Sequence, residues 1–358
     1  MYNVTDVASV KSRLDRFWAH ESIGRPYVLL TAPKDGNPPP AVDLSYPRRV
    51  HAARTGDYAA VIRDFDRWAQ SVMHYGESMP IFSADLCPDQ YAAFYGAEIV
   101  ARDGDITTWI DKNVADTLDT LDLTLDRNAP TLRQLEEFIR TATEMANGNF
   151  LVALPDAHSN MDTLSALLSP MNLCYEVMDS PALLQEKLQQ INDKYATLYD
   201  IFYEAGHMKE NGTVNWIPIW CRERSAAIEC DFSCMISPRD GRKYLIPSIE
   251  KELETLDHAI YHLDGEMALC HFDDILAIDR LDGIQWVPGA GKPRTIEYMD
   301  LLKKIQKTGK SLWIYDWSAE EILADRQLDP DLTIFSLGLP SEAAAEDFME
   351  RLERKYRG

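Results

Sequence analysis

Short apolar runs alternate with longer amphipathic segments along almost the whole chain, and few architectures accept that order. The runs are Tyr27–Thr31 (YVLLT), Pro80–Ser83 (PIFS), Phe150–Leu154 (FLVAL), Asn215–Trp220 (NWIPIW), Ala259–Leu263 (AIYHL), Ile284–Val287 (IQWV), Leu312–Tyr315 (LWIY) and Thr333–Leu337 (TIFSL). Most are β-branched or aromatic and apolar on both faces, as buried parallel strands are. Between them, apolar residues recur every three or four positions. Leu184, Leu188, Ile191, Tyr195, Leu198 and Phe202 follow a Ser180-Pro181 start, where a cap and a first-turn proline belong. Leu135, Phe138, Ala142 and Met145 follow Thr131 and Gln134, which resemble a capping box. Ser237-Pro238, Ser318 with Glu321, and Ser341 mark further helix starts.

Eight strands alternating with helices predict one α/β domain over residues 1–358, a (β/α)8 barrel of the TIM type. Residues 1–25 read as an N-terminal helical extension. A doubly wound open sheet is the alternative. Ile99–Ile110 (IVARDGDITTWI) breaks the rhythm: its Asp103-Gly104 turn between alternating flanks predicts a β-hairpin insertion on the barrel rim.

Composition narrows the function classes. Of 358 residues, 36 are Lys or Arg and 58 Asp or Glu, a formal charge of −22. Such a field repels polyanions, so a nucleic-acid partner is not expected. The hydrophobic fraction of 46% excludes a disordered chain. No apolar run approaches the ~20 residues of a spanning helix, so no membrane partner is expected. The opening MYNVTDVASVKSRLDRFW mixes charge with aromatics and is no signal peptide. Six cysteines form no CxxC pair, which predicts reduced thiols in the cytoplasm. GxGxxG, GxSxG and HExxH are absent and PGAG (Pro288–Gly291) reads as a turn, so no nucleotide cofactor is expected.

In this barrel, chemistry sits at the C-terminal strand ends and the loops that follow. Asp85 follows the second run. PDAHSNMDTL follows the third, with Asp156, His158, Asn160 and Asp162; Asp162 could equally cap a helix. CRERSAAIECDFS follows the fourth, with Arg222, Glu223, Arg224 and Asp231. Between Cys230 and Phe232, Asp231 would be partly desolvated and would suit a general acid. His262 and Asp264, two apart, would point to one side of a strand. They could hold a metal, run acid/base chemistry, or simply bond to each other. Trp286 precedes PGAG as a candidate apolar wall.

CDFSCMISP, IYHLDG and LDGIQWVPGAGKP together resemble the uroporphyrinogen decarboxylase-like superfamily, which includes cobalamin-dependent methyltransferases. The likeness runs from about Arg25 to near the C-terminus, and it implies one (β/α)8 barrel with a cleft at the C-terminal strand ends. In the decarboxylases, arginines in the loop after the first strand bind substrate carboxylates; here TAPKDGNPPP offers Lys34 and no arginine. Their essential aspartate is matched by Asp85, and their C-terminal histidine is absent from FSLGLP. The methyltransferases bind zinc through His-x-Cys and a later cysteine. Here His262 is retained, Asp264 stands in place of the cysteine, and FSLGLP has none.

The expected function is therefore a methyltransferase-like enzyme, moving a methyl group between a small-molecule donor and a corrinoid or thiol acceptor. His262 and Asp264 would bind a divalent metal, zinc foremost, or position substrate. Asp85, His158, Asp231 and Asp264 would be the catalytic groups, with Asp156, Asp162, Arg222, Glu223, Arg224 and Trp286 around the substrate. A corrinoid protein and a second copy of the chain are the expected partners. The alternatives are a metal-independent decarboxylase on a tetrapyrrole or small carboxylate, and a non-catalytic binding barrel. An acidic rim would favour a cation, a metal or a neutral methylated donor over a polycarboxylate.

Overall fold

The computed structural model describes residues 1–102 and 104–357. Its strands are β1 (Tyr27–Pro33), β2 (Val72–Gly76), β3 (Ile81–Phe82), β4 (Ile99–Val100), β5 (Trp109–Ile110), β6 (Leu151–Val152), β7 (Ser225–Glu229), β8 (His258–Asp264), β9 (Gly283–Val287), β10 (Ser311–Ile314) and β11 (Thr333–Gly338). Seven of them form a sheet in the order β2-β1-β11-β10-β9-β8-β7, parallel throughout except for β1 with β2. β3 and β6 pair in parallel as a separate ladder. With helices between successive strands this is a TIM-like α/β arrangement. Among the described residues, no strand ladder joins β1 to β3 or β6 to β7, so main-chain pairing does not close the ring. Glu77 N–H extends the β1–β2 ladder by donating to Val28 at 2.8 Å, and Leu154 N–H donates to Val214, in the segment before β7, at 2.7 Å.

Side chains alternate between two apolar layers, as the period of a strand requires. Val28, Leu30, Ile228, Tyr261, Leu263, Ile284 and Trp286 belong to the larger one with the helices. Tyr27, Leu29, Ala227, Ile260, Trp313 and Ile334 belong to a second, inner cluster. The N-terminal helix Val7–Trp18, capped by Asp6, adds Val10, Leu14, Phe17 and Trp18 to the inner cluster. The extension therefore plugs the inner core.

Asn215–Trp220 is not a strand. It is a loop between Thr213 and Cys221, which form an isolated antiparallel bridge. Ile217, Ile219 and Trp220 pack in the inner cluster, and Trp18 Nε1 donates to the Trp220 carbonyl at 2.9 Å. The run is apolar because it fills the interior. The fourth parallel strand is β7, SAAIE, whose alanines carry little strand signal. β2 was likewise not anticipated.

The hairpin expected on the rim forms: Ile99 pairs with Ile110 and Val100 with Trp109. Its Asp103 lies outside the described residues. The capping box at Ser318 and Glu321 forms, whereas the helix at Thr131 begins at Pro130 with no side-chain cap. The six cysteines are free. No described helix is long and apolar enough to cross a membrane.

At the N-terminal end of β1, Glu77 is fully buried. Its carboxylate binds Arg13 at 2.6 Å and Arg25 at 2.9 Å and accepts the Val28 N–H at 2.8 Å. Gly76 before it has φ +61, and a Cβ there would lie 2.2 Å from the Val28 carbonyl oxygen. Only glycine fits that approach.

Candidate active site

The segments after β3, β6 and β7 converge on His158, in the loop between β6 and the helix Asn160–Leu168. Its Nε2 lies 3.2 Å from Glu229 and 3.5 Å from Asp156. Its Nδ1 lies 3.5 Å from Asp89 and 3.8 Å from Asp162. The pleat lines up the next row: Glu229 pairs with His262 in the β7–β8 ladder, and His262 with Gln285 in β8–β9. His262 Nδ1 sits 2.6 Å from Gln285 Oε1, and Trp216 of the inner loop packs edge-on against the imidazole. Asn160 holds the loop from inside. It adopts φ +50, a conformation asparagine tolerates, and its amide donates to the Glu229 carbonyl and to Glu252, both at 2.9 Å.

Beside this cluster lies a cavity of about 480 Å³. His158, Asp162, Asp231, Asp89 and Lys112 contribute its charged lining; Trp109 and Ile110 of the hairpin and Phe232 form apolar walls.

Burial opposes a charge on His158, but Glu229 and Asp156 outweigh it and hold the imidazolium well above its ordinary pKa. Burial also opposes the charge on Asp156, and His158 outweighs it, keeping that carboxyl below the usual range. Glu229 goes the other way: burial and the neighbouring Asp156 push it well up. Burial, reinforced by Asp231, raises Asp162 to about 7, although its oxygens accept the Asp231 and Phe232 N–H groups at 2.9 and 2.8 Å. One cation thus faces several carboxylates. The Glu229 Oε1 and Asp156 Oδ1 atoms are buried without a partner, the signature of a site that takes up a proton or another cation.

Glu252, beneath Asn160, is raised by burial to about 8. A carboxyl raised on folding contributes stability that is full below its unfolded pKa and lost as pH climbs through the folded one. The melting temperature is therefore expected to fall from about pH 4.5 to about pH 8, and to fall less in Glu252→Gln. Parallel curves for the two proteins would show that Glu252 is not held neutral.

Two groups of this site could hold a divalent ion: Asp156, His158 and Glu229, and Glu229, Asp231 and His262, with donor atoms within 4.8 Å of one another in each. The pairing expected between His262 and Asp264 is not among these groups; Glu229 and Asp231 are the partners of His262. No cysteine joins them either. A sulfur-ligated zinc of the methyltransferase pattern therefore does not fit these residues.

Several expected site residues lie elsewhere. Arg222, Glu223 and Arg224 precede β7 instead of following a strand; the arginines pair with Asp15 at 2.6 Å and Asp200 at 2.7 Å. Trp286 is no wall of the cavity. It is on the opposite face of β9 from Gln285 and packs against Tyr298 in the helical layer. Asp231 lines the cavity but is exposed, not desolvated. Asp85 is buried behind the cavity, accepting from Gln90, the Asp156 N–H and Ser83. Its bonds position the His158 loop and leave no free carboxylate for a substrate ring. Asp162 does not cap its own helix; its oxygens accept the first N–H groups of the 3-10 turn Asp231–Met235 and so tie its helix to the loop after β7. Asp264 ends β8, half-buried, and burial raises its carboxyl. Lys34 donates to Asn3.

Glu229, Asp89 and Glu252 were missed. Glu229 closes the strand the apolar pattern did not reveal, while Glu252 sits on a helix where a carboxylate ordinarily meets solvent.

The arrangement defines a TIM-like α/β protein with an acidic pocket at the C-terminal strand ends. Among solved structures it is similar to a methyltransferase from Methanosarcina mazei, with a TM-score of 0.57 over 97% of this chain and 98% of that one, at 13% identity. Such an identity carries the fold alone. No family model matches the chain, and no curated protein matches it significantly.

Proposed function

We propose that the protein is a methyltransferase that moves a methyl group from a small donor R–X–CH3, with X nitrogen, oxygen or sulfur, to an external thiol or corrinoid nucleophile. The observation that carries this reading is His158, an imidazolium ringed by carboxylates at the wall of a small cavity. As the nucleophile bonds to the methyl carbon, the C–X bond breaks and its electrons go to X. His158 gives X its proton, and the product leaves as R–XH. Asp162 and Glu229, carboxyls raised toward neutrality, return a proton to the ring. Asp231 and Asp89 favour a neutral or cationic donor, and Trp109 and Phe232 hold its apolar part.

The nucleophile comes from outside, because the Cys230 and Cys234 thiols are raised by burial. A cavity of about 480 Å³ is at the low end of the range for ligand pockets; it suits a small donor and is too small for a whole corrinoid with its side chains. A corrinoid would meet the methyl group at the mouth, where Trp109 and Met235 are exposed, presented by a partner protein. If a divalent cation is bound, Glu229, Asp231 and His262 would hold it, and its Lewis acidity would polarise X or an incoming thiol.

The test is incubation with isotopically labelled methanol, methylamines and methyl thioethers, each with a free thiol or reduced cobalamin. Labelled methyl on an acceptor is the expected result. No transfer from any of the donors to either acceptor would overturn the assignment.

A further inference from the structure

At the opposite end of the strands, a second group of ligating side chains has nothing to do with the cavity. Cys221 and Glu223 lie just before β7, and His258 is the first residue of β8. Their Sγ, carboxylate and imidazole atoms lie within 4.8 Å of one another. Cys221 is buried, Glu223 exposed and His258 between the two, so the group has a protein floor and an open side.

We propose that Cys221, Glu223 and His258 bind a zinc ion, with water as the fourth ligand. One thiolate, one imidazole and one carboxylate are the donor types zinc accepts in tetrahedral sites. The surroundings are arranged as around a metal. His258 Nδ1 is 2.9 Å from Asp282 Oδ1, leaving Nε2 for the ion. The other Asp282 oxygen accepts the Ala259 N–H at 2.8 Å, which fixes the carboxylate in turn. This carboxylate–histidine pairing is the usual outer support of a zinc-binding imidazole. Trp18 packs on the His258 ring with centroids 5.1 Å apart. The Cys221 backbone is pinned by reciprocal bonds with Thr213 at 2.9 and 2.7 Å, so two of the three ligands are held before the ion arrives.

On binding, the Cys221 thiol loses its proton to solvent as the Zn–S bond forms, with no change of oxidation state. The ion ties the Thr213–Cys221 loop, which fills the inner core, to the start of β8. Its role is to stabilise the interior rather than to perform chemistry.

The test uses the full chain stripped of metal and titrated with zinc or cobalt(II). One equivalent is expected at this site, with a thiolate-to-cobalt charge-transfer band and a higher melting temperature. Cys221→Ser abolishes the band. Asp282→Asn weakens binding about 10–100-fold. Glu223→Gln, an exposed change that disturbs no packing, weakens it as well, which keeps the test decisive should Cys221→Ser fail to fold. Glu229→Gln, in the cavity, leaves the band intact and so separates this site from any metal bound there. The absence of a charge-transfer band, or a band and zinc affinity undisturbed in Glu223→Gln and Cys221→Ser, would overturn the proposal.

Discussion

Replacing His158 with asparagine is expected to lower kcat for methyl transfer by about 10²–10⁴-fold, the usual contribution of a positioned proton donor. Asparagine keeps a polar side chain in the cage but carries no transferable proton. Donor binding rests largely on Asp231, Asp89 and the aromatic walls, so KM should move far less than kcat. The size of the loss depends on the donor. An alcohol or a thioether leaves as an anion and needs the proton; a quaternary ammonium leaves as a neutral amine and does not. The loss should therefore be greatest for methoxy donors and smallest for quaternary ones. The wild-type rate should also decline as pH rises through the elevated pKa of His158, and the variant should lose that limb. Steady-state rates across pH, with circular dichroism to verify folding, check both points. An unchanged kcat with a methoxy donor would remove His158 from the reaction.

The second large effect concerns stability. Glu77→Ala is expected to cost about 3–5 kcal/mol in urea unfolding, because it strands Arg25 in the interior without a counter-charge. The same carboxylate holds Arg13 of the N-terminal helix and the Val28 N–H. One change therefore loosens both the plug of the inner core and the end of the β1–β2 ladder. A double replacement, Glu77→Leu with Arg25→Met, should cost less than the single one, since neither charge is left buried alone. Equal costs would place the stabilisation in the backbone contact at Val28 rather than in the ion pair.

The strands that pattern revealed are those whose residues answer to both apolar layers: β1, β3, β6, β8, β9, β10 and β11. β7 escaped because two of its five residues are alanine, while the apolar run before it serves the interior as a loop. Local pattern reports that a segment is buried without saying in which geometry. The same error shifted the polar residues: taking Asn215–Trp220 as a strand moved Arg222, Glu223 and Arg224 to the wrong end of the sheet and hid Glu229 inside a presumed loop. His158 and Asp231 were legible because polar residues crowded after a strand have few structural duties. Trp286 was not, since one residue of register decides whether a side chain faces the lumen or the helices.

By itself the amino-acid order determined the alternation of strands and helices, the rim hairpin, the acid excess and the polar loop around His158. These follow from periodicity, turn chemistry and charge, all properties of neighbours in the chain. Only the tertiary structure decided that Glu229 meets His158, that His262 sits beside Glu229 instead of pairing with Asp264, and that Cys221 meets His258. Each of those contacts joins residues far apart in the chain, on neighbouring strands or on loops from different strands. Their partners are set by register and by the packing of the inner core, which local sequence does not encode.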